Sequence, residues 1–263
     1  MKFANTVGKA PNGLIKNCFL NLKSGRTQHV NAPFNDANTK WLHRFAVITA
    51  MVAVGLILAG ATVTSTGSGD AVPDWPLSYG TLAPPMIGGI FYEHSHRLIA
   101  MLTGLLIGIL AIWLWLKEPR RTVRMLGLAA LIAVLIQATL GGLRVLIVST
   151  EPVQDTAVLL TNGASINATR IAISMTHAAL AQMIIAIIFV IAMLTSPGWL
   201  AKPARQSALP ESKFLLKINI ALVALIFGQL VIGAAVRHTG AGLIIPDFPL
   251  SFGELIPPFA NLP

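Results

Sequence analysis

Charged residues are scarce in this chain of 263 residues, at 11% of the sequence against roughly 25% in an ordinary soluble domain. Acids are the scarcest, with 10 Asp plus Glu against 19 Lys plus Arg, whereas 54% of the residues are hydrophobic and the mean hydropathy is +0.71. This composition excludes a soluble globular enzyme. It also excludes a disordered or nucleic-acid-binding chain, because the basic residues must lie at the ends of apolar segments.

Cysteine is nearly absent, since Cys18 is the single one. An intrachain disulfide and four-cysteine zinc or cluster sites are therefore excluded. Any metal chemistry must use histidine or oxygen ligands.

Long apolar stretches are what the sequence does contain. A helix that spans a bilayer needs about 20 mostly apolar residues. Five stretches meet this requirement: 42–64, 93–116, 125–148, 171–195 and 214–236. The sequence therefore predicts an all-α integral membrane protein with five transmembrane helices.

The basic residues predict the orientation, because Lys and Arg in short loops mark the side that is not translocated. Fifteen of the 19 lie in residues 1–44 and in the loops that follow the second and fourth spans, while 65–92 has none. We expect residues 1–41 to form a basic cytoplasmic tail, in a bacterial cytoplasmic membrane. The alternative is a mitochondrial transit peptide and the mitochondrial inner membrane.

The other four basic residues lie at the outer ends of spans: Arg97, Arg144, Arg170 and Arg237. A charge close to the hydrocarbon region usually has a partner, so four arginines at one face suggest an anionic ligand. Interfacial anchoring by snorkelling is the alternative.

An internal repeat links two outer segments. Residues 60–85 and 233–258 agree at 15 of 26 positions at a constant offset of 173. Because the offset spans four helices, we expect a four-helix bundle repeat over 42–213 and the start of a second, incomplete repeat over 214–263. The counterpart of the second helix would begin beyond Pro263, so we expect a truncated or split protein, or an oligomer.

Glycine and proline dominate the repeated segment, which contains PDWP and PDFP. Proline fixes φ and glycine supplies the turns, so both copies predict rigid, irregular loops. In the first copy we expect Trp75 to lie at the interface and to contact a large ligand; in the second, His238 and Asp247 belong to the motif. A structural cap on the bundle is the alternative.

Two histidines are expected at nearly the same depth. Both the second and the fourth spans enter from the outer side, with His96 and His177 about 5 and 9 Å below the expected helix starts. Two imidazoles at matching depth in a four-helix bundle can hold one haem iron from both faces. A pair of buried histidines that bond neighbouring helices is the alternative.

Glu93, His96 and Arg97 share one helix face by their spacing, whereas His94 is rotated away. Glu93 is a candidate general base or stabiliser of a developing cation. An ion pair with Arg97 or Arg144 is an equally good interpretation.

These residues carry a family resemblance. From about residue 41 onward, the chain resembles the haem A synthase family. The resemblance is carried, in this order, by TGSGDAVPDWPLSYG, YEHSHRLIAMLTG, QATLGGLRV, the histidine of the fourth span and GAAVRHTGAGLIIPDFPLSFG. The family has eight transmembrane helices in two four-helix repeats, each of which holds a haem through two histidines. Its members oxidise the C8 methyl group of haem O to the formyl group of haem A for cytochrome oxidase.

The resemblance implies roles for individual residues. His96 and His177 match the axial pair of the substrate haem, and Glu93 matches the essential glutamate, which stabilises a carbocation at the methyl group. From charge and position we expect Arg97, Arg144 and Arg237 to contact haem propionates. Implied partners are haem O, haem O synthase, cytochrome oxidase assembly factors and membrane lipid, with a possible homo-oligomer.

The chain departs from the family in two respects. The first outer loop lacks the cysteine pair of some members, and the histidines of the second haem b site are not encoded here, so we expect one haem. Two other functions stay open: a non-catalytic b-type cytochrome or haem-carrying assembly protein, and a transporter. The transporter fits less well because the polar residues gather at the outer edge rather than at the midplane.

Overall fold

A computed structural model describes residues 36–161, 163, 165–200, 210–243, 245, 247 and 250–255. Almost all of the predicted cytoplasmic tail, 1–41, lies outside these residues. The helices, in chain order, are α1 Asp36–Ser65, α2 Gly88–Lys117, α3 Arg121–Ser149, α4 Glu151–Leu160, α5 Ile166–Thr195, α6 Pro197–Leu200 and α7 Pro210–Thr239. Short 3-10 helices follow α1 at Ser68–Asp70 and α7 at Ala241–Leu243.

Five of these helices, α1, α2, α3, α5 and α7, are long and apolar enough to cross a membrane, which confirms the predicted fold class. Each is longer than its apolar stretch; the second, for example, begins at Gly88 rather than at 93. Hydropathy detects only the lipid-facing core of a helix, whereas backbone hydrogen bonds continue through the interfacial turns.

The segment between the third and fourth spans forms a helix that the sequence analysis did not predict. Thr150 is extended and ends α3, and Pro152 lies in the first turn of α4, where its missing N–H costs no hydrogen bond. No residue of α4 is buried. Ser165 then caps α5, its hydroxyl accepting from the Ala168 amide at 3.2 Å.

The first four spans share one core. A buried cluster near the loop at 118–120 combines Leu42 and Ala46 of α1 with Leu110 of α2, Val123 of α3 and Ile191 of α5. A second cluster along the same helices adds the buried residues Ala50, Ala53, Ile107, Ala130, Ile184 and Ile188. α7 contributes to neither cluster, and most of its described apolar side chains are exposed. The division into repeats at 42–213 and 214–263 stays a prediction.

At 118–120 a partly buried ion pair joins α2 to α3. Glu118 is 4% exposed, and both of its oxygens accept from Arg120, at 2.6 and 3.0 Å. Arg120 also donates to the carbonyl of Leu194 in α5 at 2.9 Å. These charge-assisted bonds hold three helices together at this end of the bundle.

Candidate functional site: a histidine pair beneath an anchored loop

The histidine pair, His96 and His177, lies inside the bundle. His96 is eight residues into α2 and His177 is eleven into α5, so they lie about 12 and 16 Å from their helix starts. Both histidines lie farther from their helix starts than the sequence predicted, because each helix begins five residues before its predicted start. The shift is the same in both helices, so the two depths still match.

The two imidazoles have equivalent surroundings. His96 packs on Gly60 of α1, where an added Cβ would lie 3.1 Å from its Cε1 atom, and His177 packs on Gly141 of α3 at the same distance.

One ring nitrogen of each histidine stays without a partner. Nδ1 of His96 and Nδ1 of His177 are buried and form no hydrogen bond. Gln137 binds the backbone rather than the ring, its Nε2 donating to the His177 carbonyl at 3.0 Å. A buried nitrogen donor without a partner is unusual, and a metal ligand is a common reason for it.

The chemistry of these donors fits haem. Within the described residues, no group of three or more His, Cys, Asp or Glu side chains could hold a metal ion. Two facing imidazoles in apolar surroundings are typical axial ligands of a haem iron. His96 and His177 are therefore the residues that would hold this group.

Above the pair, the outer loop (residues 66–87) is fixed to α2 through Arg97. Its Nη1 donates to the carbonyls of Asp74 and Leu77, at 2.6 and 2.7 Å, and its Nη2 donates to the carbonyl of Val72 at 3.2 Å. Nη2 also donates to Glu93 Oε1 at 2.6 Å. All four terminal N–H groups are thus directed at protein acceptors, which differs from the propionate contact expected for Arg97.

Glu93 is buried, with 4% of its surface exposed, and both of its oxygens have partners. Oε1 accepts from Arg97, and Oε2 accepts from the amide of Val72 at 2.9 Å. Of the two ion pairs considered from the sequence, the structure forms the one with Arg97. Through these two contacts Glu93 helps to fix the outer loop on α2.

The sequence analysis gave no role to His94, which is a second anchor of the loop. Its Nε2 lies 3.1 Å from the Leu82 carbonyl, so this nitrogen carries the proton and Nδ1 accepts from the Ser78 hydroxyl at 2.8 Å. Both residues are buried. The signal in the sequence was the HxH spacing, which turns His94 away from the histidine pair.

The loop is also joined to α3. Trp75 lies on Gly142, where a Cβ would be 2.6 Å from its Cδ2 atom. The Ser149 hydroxyl donates to the carbonyl of Pro73 at 2.6 Å. Trp75 keeps 41% of its surface exposed, so it forms part of the outer face of the loop.

The four outer arginines differ in their partners. Arg170 pairs with Asp70 at 2.8 Å, whereas Arg144 is 3.7 Å from the same carboxylate and binds the Gly69 carbonyl and the Ser174 hydroxyl. Arg237 joins α7 to α1 by donating to the Ser65 hydroxyl at 2.6 Å, and it forms no ion pair within the part of the chain that is described.

Arg144 has the most central position of the four. Its positive charge acts electrostatically on Glu93, His96, His177 and the half-buried His238. A side chain at Gly69 would collide with its guanidinium group, so the glycine allows the loop to cross over it. Asp70, which the sequence analysis did not single out, could have been found as an acid at the outer face opposite these arginines.

The repeated motif forms the same turn twice. Asp74 accepts from the amides of Tyr79 and Gly80 at 2.7 and 2.8 Å, and Asp247 accepts from those of Phe252 and Gly253 at 2.8 and 2.7 Å. In both turns the first of the two amide donors is an aromatic residue with a positive φ, 53° for Tyr79 and 54° for Phe252. The carboxylate thus holds a backbone conformation that a residue other than glycine seldom adopts.

Both carboxyl groups are stabilised in the ionised form. At Asp74, desolvation by burial opposes ionisation, but the amides of Gly80 and Tyr79 outweigh it, and the pKa is below its usual value. At Asp247 the amides of Gly253 and Phe252 lower the pKa. Each turn therefore contains a carboxylate at neutral pH.

Comparison with known proteins identifies the family. Residues 86–262 match the family model COX15-CtaA, described as cytochrome oxidase assembly protein. Similar proteins named Heme A synthase occur in Halalkalibacterium halodurans (29% identical over 217 residues, 81% of this chain and 65% of the relative) and in Symbiobacterium thermophilum (32% over 221 residues, 81% and 65%). A third, from Alkalihalophilus pseudofirmus, is 28% identical over 222 residues, 83% of this chain and 67% of the relative.

The match spans 65% of the length of the first two of these relatives, which is less than two thirds. The range matched by the family model includes α2, α3 and α5, and with them the histidine pair and the outer arginines. The family model alone covers more than half of the chain. The chain therefore belongs to the COX15-CtaA family of cytochrome oxidase assembly proteins.

Proposed function

We propose that this chain takes part in haem A synthesis by holding haem O between His96 and His177 while its C8 methyl group is oxidised to a formyl group. The observation that carries the proposal is the pair of equivalent imidazoles, each with a buried ring nitrogen that has no partner. Relatives named Heme A synthase support a role in haem A synthesis. A bound haem supplies the redox-active iron and, as substrate, the methyl group.

The residues around the pair have complementary tasks in this proposal. Arg144 and Arg237 bind the propionate groups, because Arg97 and Arg170 are held in close ion pairs with Glu93 and Asp70, whereas Arg144 has only a longer one with Asp70 at 3.7 Å. A guanidinium group is well suited to a carboxylate, since it donates two parallel hydrogen bonds. Trp75 and the outer loop close the site and exclude water.

Glu93 is proposed as the carboxylate that stabilises positive charge on the substrate. It lies one turn before His96, and Arg97 and the Val72 amide fix its position. Each oxygen keeps a second lone pair for a substrate group. The same two contacts favour a second candidate function, a haem-binding protein without catalysis in which Glu93 only anchors the loop.

Replacement of Glu93 by Gln separates the two functions. For the synthase we expect Glu93→Gln to keep haem O and to lose formyl production by about 100-fold or more, which is typical of a lost catalytic carboxylate. His96→Ala and His177→Ala should lose the haem, whereas the control His43→Ala, at the far end of α1, should keep it. The measurement is separation of haems B, O and A from purified protein by reversed-phase chromatography.

Haem A formation at the wild-type rate by Glu93→Gln would leave the glutamate with its anchoring role only. Haem B as the sole pigment, lost in both histidine variants, would favour the cytochrome or haem-carrying function. Haem retained in both histidine variants would refute the assignment of the axial pair.

The setting of the reaction is part of the proposal. We place the protein in a bacterial cytoplasmic membrane, with residues 1–41 on the cytoplasmic side and the histidine pair near the outer side. Haem O synthase supplies the substrate, and cytochrome oxidase assembly receives the product. Residues 42–213 form the first haem-binding repeat and 214–263 the start of a second.

A further inference from the structure

An apolar groove lies between α2 and α3, near the ends joined by residues 118–120 and far from the histidine pair. Its volume is about 180 Å³. Beside it the two helices are in close contact at Gly127, where a Cβ would lie 2.8 Å from Cδ1 of Leu114. The groove is lined by Ala111, Ile112, Trp115, Leu116, Leu128 and Leu131.

One end of this groove is basic. Arg124 precedes Leu128 by one turn, and its Cζ atom lies 5.6 Å from the centroid of the Trp115 ring, which itself lines the groove. Nε of Arg124 is buried and has no hydrogen-bond partner. Lys117 and Arg121 are exposed at the same end of the two helices.

The carboxylate at this end does not neutralise these charges. Glu118 is bound through both oxygens by Arg120. Among the described residues, Lys117, Arg121 and Arg124 form no ion pair. Arg124 therefore adjoins the groove as an unpaired cation, and Lys117 and Arg121 add two more positive charges at the same end of the two helices.

We propose that the groove binds an acyl chain of an anionic phospholipid from the cytoplasmic leaflet, with the lipid phosphate at Arg124. A groove on a lipid-facing surface is filled by acyl chains where no protein covers it, and its apolar walls match that occupant. A phosphate oxygen supplies the acceptor that the buried Nε lacks. The charges favour a lipid over a partner helix, because basic groups at this membrane face attract anionic headgroups.

Trp115 provides a direct readout, because it lines the groove and contacts Arg124. The full chain is placed in nanodiscs that contain brominated phosphatidylglycerol or brominated phosphatidylcholine, each over the same series of mole fractions. Bromine quenching of tryptophan fluorescence is then measured at each composition. The difference between wild type and Trp115→Phe isolates the emission of Trp115. We expect half-maximal quenching of this residue at an about fivefold lower mole fraction of the anionic lipid.

Arg124→Gln should abolish this preference, whereas Lys217→Gln, a matched loss of charge at an exposed site on α7, should retain it. Leu128→Phe fills the groove without a change in charge and should also reduce the preference, so the test stands even where Arg124→Gln does not fold. Equal quenching by the two lipids in wild type would overturn the proposal. Absence of quenching by either lipid would overturn it as well, since protein would then cover the groove.

Discussion

The tight packing of His96 on Gly60 gives a sharp test of the histidine site. A methyl group added at Gly60 would lie 3.1 Å from Cε1 of His96, whereas carbon atoms prefer about 3.5–4.0 Å. The ring must therefore move by roughly 0.4–0.9 Å, away from the position that the helices define. Overpacking of this size usually costs about 1–3 kcal/mol.

If that cost falls on the haem-bound state, Gly60→Ala should weaken haem binding by about 5- to 140-fold. Gly141→Ala should act similarly through His177, since its Cβ distance is the same. Gly55→Ala is the matched control, because it lies on the same helix α1 with nothing within 4 Å of an added Cβ. The gain in helix propensity is common to all three variants.

Spectroscopic titration of the purified apoprotein with haem measures these affinities, and thermal unfolding of each variant checks that it folds. Equal affinities for Gly60→Ala and Gly55→Ala would refute the reasoning, since His96 would then tolerate the displacement or would not bind the iron. A loss confined to Gly60→Ala and Gly141→Ala supports both axial ligands.

Two further predictions concern the scaffold. Ionised Asp74 stabilises the turn fully at pH values above its unfolded pKa near 3.8. This contribution is lost as the pH falls through the lowered pKa of the folded state. Asp74→Asn should therefore speed hydrogen exchange at the amides of Tyr79 and Gly80 at neutral pH. Equal protection in both proteins, after correction for intrinsic exchange rates, would contradict this. Arg120→Met should destabilise the chain by about 1–3 kcal/mol, because Glu118 stays buried without its cation. Thermal unfolding in detergent measures this, and an unchanged midpoint would show that the pair contributes nothing to stability.

Much of the architecture could be predicted from linear patterns. The five spans were predicted correctly because about 20 apolar residues satisfy a bilayer wherever they occur in a chain. Helix α4 was missed because ten mostly exposed residues carry no strong hydropathy signal. The predicted spans were several residues shorter than the helices, because the terminal turns also carry no strong hydropathy signal.

The residues of the candidate site stay a prediction, and the structure adds contacts that the sequence did not specify. His96 and His177 were identified as a pair at matching depth, which depends only on the rise per residue. Arg97, expected at a propionate, is instead bonded to the loop and to Glu93, and His94, expected to point elsewhere, anchors that loop. These partners are 4 to 25 residues apart, and no periodicity specifies which of several acceptors an arginine will choose.

The sequence by itself determined the membrane class, the five spans, the repeated loop motif and the donor chemistry of the histidine pair, because hydropathy, charge and residue type are local properties. Only the tertiary structure decided that Gly60 and Gly141 lie against the two imidazoles and that Arg144 crosses beneath Gly69. It also decided that three of the four outer arginines are paired with carboxylates. Those arrangements depend on how far each helix is rotated about its axis and how closely it approaches its neighbours, which the packing of four helices fixes together.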